Sequence, residues 1–97
     1  MPYEIEEIKE KAIPIAKKYG VKKLSLFGSY ARGEADEKSD VDFLIERGKM
    51  RGMLKYFAFV YDLEDELKLH VDVVTTGISD KEFLNNIKKD EIFLYEE

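Results

Sequence analysis

The side chains most able to do chemistry are Asp40 and Asp42, which a single valine separates. The apolar residues around them predict a β-strand, in which residues two apart point to the same face. Two carboxylates side by side repel each other unless a cation lies between them, and hard oxygen ligands of this kind suit Mg²⁺. The alternative is a solvated edge strand, whose like charges prevent pairing. Because Phe43, Leu44 and Ile45 are apolar on both faces, the sequence favours an interior strand.

A glycine-serine pair, Gly28 and Ser29, follows a short apolar run that predicts a buried strand at about residues 22–27. Glycine permits a sharp turn and a close approach by another group. Ser29 is predicted to be the N-cap of a brief helix that Gly33 ends. Free N–H groups at the start of a helix favour bound phosphate, although an ordinary strand-to-helix turn would contain the same residues.

A third carboxylate, Asp72, interrupts a β-branched run at about residues 70–75 that predicts another strand. Its neighbours on both sides are valines, so the aspartate points to the opposite face of the strand from them. If this strand pairs with the strand that carries Asp40 and Asp42, the three carboxylates meet near Gly28. Such a cluster can hold two divalent ions about 4 Å apart, the arrangement that serves phosphoryl and nucleotidyl transfer.

Together these residues resemble the signature of the nucleotidyltransferase superfamily that includes DNA polymerase beta and kanamycin nucleotidyltransferase. Gly28 and Ser29 are followed by ten residues and then by Asp40-x-Asp42, and a later strand carries Asp72. The flanking sequences, Leu-Phe-Gly-Ser-Tyr-Ala-Arg-Gly and Ser-Asp-Val-Asp-Phe-Leu-Ile, are similar to those of its smallest branch, the minimal nucleotidyltransferases. The resemblance covers essentially the whole chain.

The resemblance implies a metal-dependent enzyme that uses ATP as its substrate and Mg²⁺ as its cofactor. The residues that would act as catalytic groups and as ligands of two Mg²⁺ ions are Asp40, Asp42 and Asp72. Gly28 and Ser29 would bind the terminal phosphates of the nucleotide. Arg32 would be a charge partner of a phosphate or of an aspartate, and a surface salt bridge explains it nearly as well.

In the smallest branch these proteins pair with HEPN-domain toxins. The resemblance therefore implies transfer of AMP from ATP to a tyrosine of a cognate HEPN toxin, as in MntA-type antitoxins, and a hetero-oligomer with that partner. The alternative is a non-catalytic binding module that neutralises its partner by complex formation, a role that the surplus of aromatic residues would serve. Transfer to an antibiotic or to RNA is disfavoured, because larger relatives use a second domain for which these 97 residues leave no room.

Length and composition predict one domain over residues 1–97 with a modest core. A net charge of -5 argues against grasping a nucleic acid by electrostatics alone, because such proteins concentrate Lys and Arg. No apolar stretch reaches the ~20 residues of a membrane span, and the acidic N-terminus is unlike a signal peptide. Without cysteines, disulfides and thiol ligands are excluded, and the sequence favours a cytoplasmic location.

The predicted fold is α/β (α+β), a small mixed β-sheet flanked by helices, as in nucleotidyltransferases. An amphipathic helix is predicted over residues 3–19, with Gly20 ending it and Pro14 kinking or splitting it near Ile13. A second long helix is predicted over residues 53–69. The apolar residues at helical spacing in it, predicted to be core, are Met53, Leu54, Phe57, Ala58, Val60, Tyr61 and Leu67. The alternative leaves part of its aromatic cluster exposed as a partner surface.

A capping box at residues 79–82 predicts a last helix that runs to about Lys89. Its inward-facing residues are predicted to be Phe83, Leu84 and Ile87. A strand is predicted at about residues 41–46, and the tail over residues 91–95 is predicted to be a final strand or an extended packing segment.

Three further features have ordinary explanations beside functional ones. The basic loop at residues 47–52 could contact a triphosphate or a partner, yet loops with a few positive charges are common. His70, the only histidine, is predicted to be structural or exposed rather than a general base. A calcium loop that begins at Asp36 fails, because Lys38 and Val41 stand where the pattern needs an acidic or amide residue and a glycine.

Overall fold

Helices and strands follow one another in the predicted order in the computed structural model, which describes residues 2–77 and 80–97. They are α1 (Ile5–Tyr19), β1 (Lys23–Phe27), α2 (Gly28–Arg32), β2 (Val41–Glu46), α3 (Gly52–Leu67), β3 (Val71–Thr75), α4 (Lys81–Lys88) and β4 (Ile92–Glu96). The tail forms a strand, the first of its two predicted alternatives. Within the described residues, no helix is both long and apolar enough to cross a membrane.

The four strands form one mixed sheet in the order β3-β2-β1-β4. β1 pairs antiparallel with β2 and with β4, whereas β2 and β3 run parallel. β2 is therefore an interior strand, as the apolar residues on both of its faces predicted. The predicted α/β fold with a small mixed sheet is confirmed.

Helix α1 begins and ends at residues suited to those positions. Glu4 is the N-cap, and its backbone N–H donates to the Glu7 carboxylate at 3.0 Å in a capping box. Gly20 ends the helix, as predicted, in the left-handed conformation with φ of 74°. Pro14 lies inside one continuous helix, so the predicted split is wrong. Burial of a full stripe holds the helix together across the proline; its fully buried members are Ile8, Ala12 and Ala16.

The two faces of the sheet are unlike. One, the helix-covered face, packs against α1 and α3, and β2 contributes Val41, Phe43 and Ile45 to that core. The other, the carboxylate face, is covered in part by α4, where Leu84 and Ile87 pack against Leu44. Because side chains alternate along a strand, the residues of β2 and β3 that lie between the helix-facing ones point to the carboxylate face. Two of these are Asp42 and Asp72.

The stripe predicted as the core side of α3 is largely wrong. Four of its members, here called the apolar α3 face, are 58 to 86% exposed: Met53, Leu54, Phe57 and Tyr61. The buried residues of the helix are Phe59, Leu63 and Leu67, of which only Leu67 was predicted. Two residues are ~200° apart around a helix, so Phe57 and Phe59 point to opposite sides. Apolar side chains surround much of this helix, and periodicity alone could not choose the side that packs.

Helix α4 starts at a cap one residue later than predicted. Asp80 is the N-cap, since its carboxylate accepts a hydrogen bond from the backbone N–H of Phe83 at 3.0 Å. Ser79, the predicted cap, lies outside the described residues. Leu84 and Ile87 are buried as predicted, but Phe83 is 43% exposed, so its inward assignment is wrong. Leu84 and Ile87 are three residues apart and therefore share one side of this short helix, which packs on the sheet. Phe83 lies beside that side and stays partly in solvent.

Side chains of α3 occupy the outer edge of the sheet beside β3. The backbone N–H of Val71 donates to the Glu64 carboxylate at 3.0 Å. The Tyr56 hydroxyl donates to the carbonyl of Val73 at 2.9 Å. Both main-chain groups point away from β2, so α3 satisfies hydrogen-bonding groups that the edge of a sheet otherwise leaves to solvent.

Candidate active site

The site starts at Gly28, where β1 ends and the chain turns into α2. Gly28 has φ of +75°, a conformation that residues with a side chain rarely adopt. A Cβ atom at this position would lie 3.1 Å from Cγ of Asp42 and closer still to one of its carboxylate oxygens. Glycine is therefore required twice, by the turn and by the carboxylate packed against it. The predicted close approach is confirmed, and the group that approaches is Asp42.

Helix α2 has only five residues, and its cap differs from the prediction. The N-cap is Phe27, in an extended conformation and without a side-chain cap, so the assignment of Ser29 as N-cap is wrong. The reason is that Gly28 already belongs to the helix, which moves the cap back into the end of β1. Gly33 ends the helix with φ of 74°, as predicted. Ser29 is half-buried one residue after the turn, and phosphate binding by Gly28 and Ser29 stays a prediction.

Asp40 and Asp42 flank the first residue of β2, and Val41 between them is fully buried on the helix-covered face. The parallel register pairs Asp42 of β2 directly with Asp72 of β3. Val71 is buried, whereas the Asp72 side chain is 53% exposed. The predicted meeting of the three carboxylates is therefore confirmed, since the strands are neighbours and the register places the aspartates opposite each other.

The pKa of Asp42 is raised because its carboxyl is partly buried and lies close to other negative charges. The pKa of the Asp42 carboxyl is raised to about 6, most of all by burial and then by the charge of Asp72, a hydrogen bond with Asp72 and the charge of Asp40. The positive charge of Arg32 acts in the opposite direction. A carboxyl that is hard to ionise among other acids gains the most from a bound cation, which would offset the repulsion.

His70 belongs to the same cluster, and the sequence interpretation missed its position there. Its Nδ1 atom lies 3.4 Å from a carboxylate oxygen of Asp40 and 3.8 Å from one of Asp72. The predicted exposure is confirmed, since 61% of the side chain is accessible. The signal was available in the spacing: His70 precedes Asp72 by two residues, as Asp40 precedes Asp42, and residues two apart share a face.

The donor set fits a divalent cation. One ligand atom from each of Asp40, His70 and Asp72 lies within 4.8 Å of the others, and all three side chains are exposed. Asp42 adds a half-buried carboxylate that faces Gly28 and stands opposite Asp72 in the strand register. Carboxylate oxygens with open positions for water or phosphate are the donors that Mg²⁺ takes in nucleotide sites. The roles of Asp40, Asp42 and Asp72 as metal ligands stay a prediction supported by this geometry.

Arg32 lies at the end of α2 and has two acidic partners. Its Nε donates to Glu34 at 2.9 Å, and its Nη1 donates to Asp90 at 3.0 Å. Both pairs are exposed, and they match the surface salt bridge considered for this residue. Its charge nevertheless lowers the pKa of Asp42 against the other influences, so Arg32 is near enough to act on the site. Its contact with a nucleotide stays a prediction.

The basic loop after β2 lies at the other end of that strand from Asp42. Arg47 donates to the carbonyl oxygens of Met50 at 3.3 Å and of Gly52 at 2.7 Å, and its guanidinium carbon lies 5.4 Å from the centre of the Tyr56 ring. These contacts close the loop and link it to α3. Since a strand rises ~3.3 Å per residue, the loop is well over 10 Å from the carboxylates, which favours the structural interpretation of Arg47.

The fold and the sequence define a class of protein. Residues 10–97 match the family described as polymerase beta, nucleotidyltransferase. A chain from a toxin-antitoxin crystal structure with AMP-PNP superposes with a TM-score of 0.79 at 19% identity, covering 92% of this chain and 73% of that one. A structure provisionally described as a minimal nucleotidyltransferase gives 0.77 at 28% identity, with 91% and 90% covered. The chain therefore belongs to the polymerase beta nucleotidyltransferase family.

Its relatives are proteins named as adenylyltransferases. A Methanocaldococcus jannaschii protein with the provisional name protein adenylyltransferase is 51% identical over 71 residues, which cover 73% of this chain and 76% of that protein. The protein adenylyltransferase MntA of Thermococcus cleftensis is 42% identical over 60 residues, 62% and 61% of the two chains. A chain of the tri-AMPylated Shewanella oneidensis HEPN toxin in complex with MNT antitoxin has the same fold, with a TM-score of 0.73 at 16% identity over 95% and 72%.

Proposed function

We propose that the chain is a Mg²⁺-dependent protein adenylyltransferase that transfers AMP from ATP to a tyrosine of a HEPN-family toxin and so acts as its antitoxin. The observation that carries the proposal is the meeting of Asp40, Asp42 and Asp72 on two paired strands beside Gly28. The relative named protein adenylyltransferase MntA and the complex of an AMPylated HEPN toxin with MNT antitoxin support the acceptor and the transferred group. The neighbouring structure with AMP-PNP supports an adenine nucleotide as substrate.

The residues would divide the work according to their positions. Asp40, Asp42 and Asp72 would hold Mg²⁺, which when bound offsets the charge of the phosphates and of the developing transition state. Gly28 and Ser29 would bind the terminal phosphates through backbone N–H groups and the serine hydroxyl. Their place directly beside Asp42 would bring the α-phosphorus of ATP close to the carboxylates.

In the transfer step, the hydroxyl oxygen of the acceptor tyrosine forms a bond with the α-phosphorus. The bond from that phosphorus to the oxygen that bridges it to the β-phosphate breaks, and pyrophosphate leaves. Asp72 accepts the proton of the tyrosine hydroxyl. This role suits Asp72 better than Asp42, because the Asp72 side chain is 53% exposed to an incoming partner and Asp42 is half-buried against Gly28.

The test is incubation of the chain with a candidate HEPN partner, Mg²⁺ and ATP labelled at the α-phosphate. We expect label on the partner and, after digestion and mass spectrometry, AMP on a tyrosine. Asp42→Asn should abolish the labelling. The matched control is Asp65→Asn, an exposed aspartate of α3 that pairs with Lys68, which should label normally. Absence of label on the partner, or equal labelling by Asp42→Asn, would contradict the proposal.

The apolar α3 face favours a second candidate, a binding module that neutralises the partner by occlusion. Its four side chains, Met53, Leu54, Phe57 and Tyr61, are exposed on one helix, and exposed apolar patches mark interaction surfaces. Neutralisation of the toxin that survives Asp40→Asn and Asp42→Asn, with the complex intact, would favour occlusion over catalysis. Loss of neutralisation in those variants, again with the complex intact, would favour transfer.

We also propose that the protein works in the cytoplasm, where ATP is available to it. The absence of cysteine and of a membrane-crossing helix among the described residues is compatible with this location. Fractionation of cells that produce the protein would test it, and recovery in the membrane fraction would contradict it.

A further inference from the structure

Four polar side chains occupy matching positions at the start of β2 and β3. The parallel register pairs Val41 with Val71 and Asp42 with Asp72. The residues one position earlier, Asp40 and His70, precede the two strands and continue this match. The backbone N–H of Val41 donates to the His70 carbonyl at 3.0 Å, which fixes His70 against β2. Each strand therefore presents two polar side chains to the carboxylate face, Asp40 and Asp42 from β2 and His70 and Asp72 from β3.

The imidazole of His70 faces both exposed carboxylates at separations suited to a shared ion. Its Nδ1 lies 3.4 Å from Asp40 and 3.8 Å from Asp72, and no hydrogen bond joins it to either among the described residues. Ligand atoms that each lie ~2.1 Å from one metal ion are about 3 Å apart when adjacent and about 4 Å apart when opposite. Both separations fall within this range, and the ligand atoms of all three side chains lie within 4.8 Å of one another, so small rotations of these exposed side chains let a single ion contact all three.

We infer that His70 is a metal ligand, and that Asp40, His70 and Asp72 bind a divalent first-row transition ion such as Mn²⁺ or Co²⁺. The inference rests on the metal site of the proposed function and extends it by one nitrogen ligand. Imidazole nitrogen suits transition ions, whereas Mg²⁺ takes oxygen ligands almost exclusively. A site with one imidazole and two carboxylates therefore binds Mn²⁺ and Co²⁺ more tightly than Mg²⁺, and His70 carries that preference.

The chain offers an unusually clean test, because His70 is its only histidine. Any imidazole nitrogen coupled to a bound ion in protein without a histidine tag must come from this residue. Pulsed electron paramagnetic resonance of the protein with one equivalent of Mn²⁺ at pH 8 should show ¹⁴N coupling of the imidazole type. His70→Gln should abolish the coupling and weaken Mn²⁺ and Co²⁺ binding by ~10-fold or more, while Mg²⁺ binding changes less.

Two control variants separate ligation from other effects. Asp65→Asn, at an exposed aspartate outside the group of ligand atoms, should keep both the nitrogen coupling and the affinity. Circular dichroism should show that His70→Gln is folded, as expected for a side chain that is 61% exposed. His70→Asn, whose amide reaches about the position of Nδ1 but supplies no imidazole nitrogen, should also lose the imidazole-type coupling.

The results that overturn the inference differ from those that overturn the proposed function. Bound Mn²⁺ without nitrogen coupling, or equal Mn²⁺ affinity in His70→Gln, would show that His70 is not a ligand. Labelling of the partner that still requires Asp42 would then leave the proposed function standing. If calorimetry detects neither Mn²⁺ nor Mg²⁺ binding to the intact chain or to the chain with AMP-PNP, the metal site fails and both proposals fail with it.

Discussion

The two faces of β2 consist of alternate residues of one strand, and they differ in their effect on stability. On the helix-covered face, Val41, Phe43 and Ile45 are fully buried against α1 and α3. On the carboxylate face, Asp42 is pressed against Gly28 and Asp72, and its pKa is raised to about 6. One face gains free energy from burial, whereas the other holds like charges together at a cost. The comparison teaches that the packed face keeps the charged face in place.

The largest loss of stability is expected from truncating a buried side chain on the helix-covered face. Phe43 lies next to Asp42 in β2 and is fully buried. Phe43→Ala should lower the free energy of unfolding by ~3–5 kcal/mol, because it leaves a cavity, and Phe43→Leu should cost about 1 kcal/mol. Urea unfolding followed by circular dichroism measures both. A loss under ~1 kcal/mol for Phe43→Ala would mean that this face does not support the site as described.

A smaller loss of stability is expected at the two ends of α2, where Gly28 and Gly33 can be compared directly. Gly28 and Gly33 have nearly equal φ angles, +75° and +74°, but a Cβ on Gly28 would overlap Asp42 and one on Gly33 would meet nothing within 4 Å. Gly33→Ala should therefore cost only the backbone strain of ~1 kcal/mol, and Gly28→Ala about 3 kcal/mol. Equal losses in thermal or urea unfolding would contradict the close approach of Asp42.

On the carboxylate face, a substitution is expected to raise the free energy of unfolding instead of lowering it. The pKa of Asp42 is about 6 in the folded protein and 3.8 ordinarily, so folding disfavours its ionised form. The cost is absent below pH 3.8, grows up to pH 6 and is complete above it. Asp42→Asn should therefore stabilise the metal-free protein at pH 8 by about 1–2 kcal/mol, discounted because the group is only half-buried, and should change little at pH 3.5.

Chemical unfolding at the two pH values, with and without Mg²⁺, measures this difference. Added Mg²⁺ should stabilise the unsubstituted protein at pH 8 and have little effect on Asp42→Asn. A variant that is less stable than the unsubstituted protein at pH 8 without metal would show that Asp42 is not under repulsion.

The smallest effect on stability is expected on the apolar α3 face. Phe57 is 58% exposed, whereas Phe59, two residues on, is fully buried. Phe57→Ser should change the free energy of unfolding by no more than ~0.5 kcal/mol, and Phe59→Ala should cost ~3–5 kcal/mol. If the apolar α3 face contacts a partner, Phe57→Ser should also weaken the complex in a pull-down while the protein stays folded. A large loss of stability would place Phe57 in the core.

The sequence predicted most of the site because its features are local or strictly periodic. Alternation in β2 and β3 determines which face Asp42 and Asp72 share, and Gly28 marks the turn that Asp42 contacts. What the sequence could not specify was long-range. No local pattern shows that β2 pairs with β3, and only the structure supplies the register that sets Asp42 opposite Asp72.

The predictions that failed share a physical cause. Apolar residues surround most of α3, so the hydrophobic pattern fits more than one side, and packing against α1 selects Phe59 and Leu63 over Phe57. The cap of α2 was misplaced because Gly28 itself adopts the first helical position. The position of His70 in the cluster depends on Asp40, a residue 30 positions away that the strand register brings beside it, and no local pattern contains both residues.

The hydrogen bonds that Glu64 and Tyr56 make to the margin of β3 have a consequence for assembly. A strand from another molecule would find two of the main-chain groups it needs, the N–H of Val71 and the carbonyl of Val73, already bonded to α3, and this disfavours its addition to the sheet there. Pairing of molecules through the strand that carries Asp72 is thus disfavoured, which helps to keep the acid open to solvent at high protein concentration.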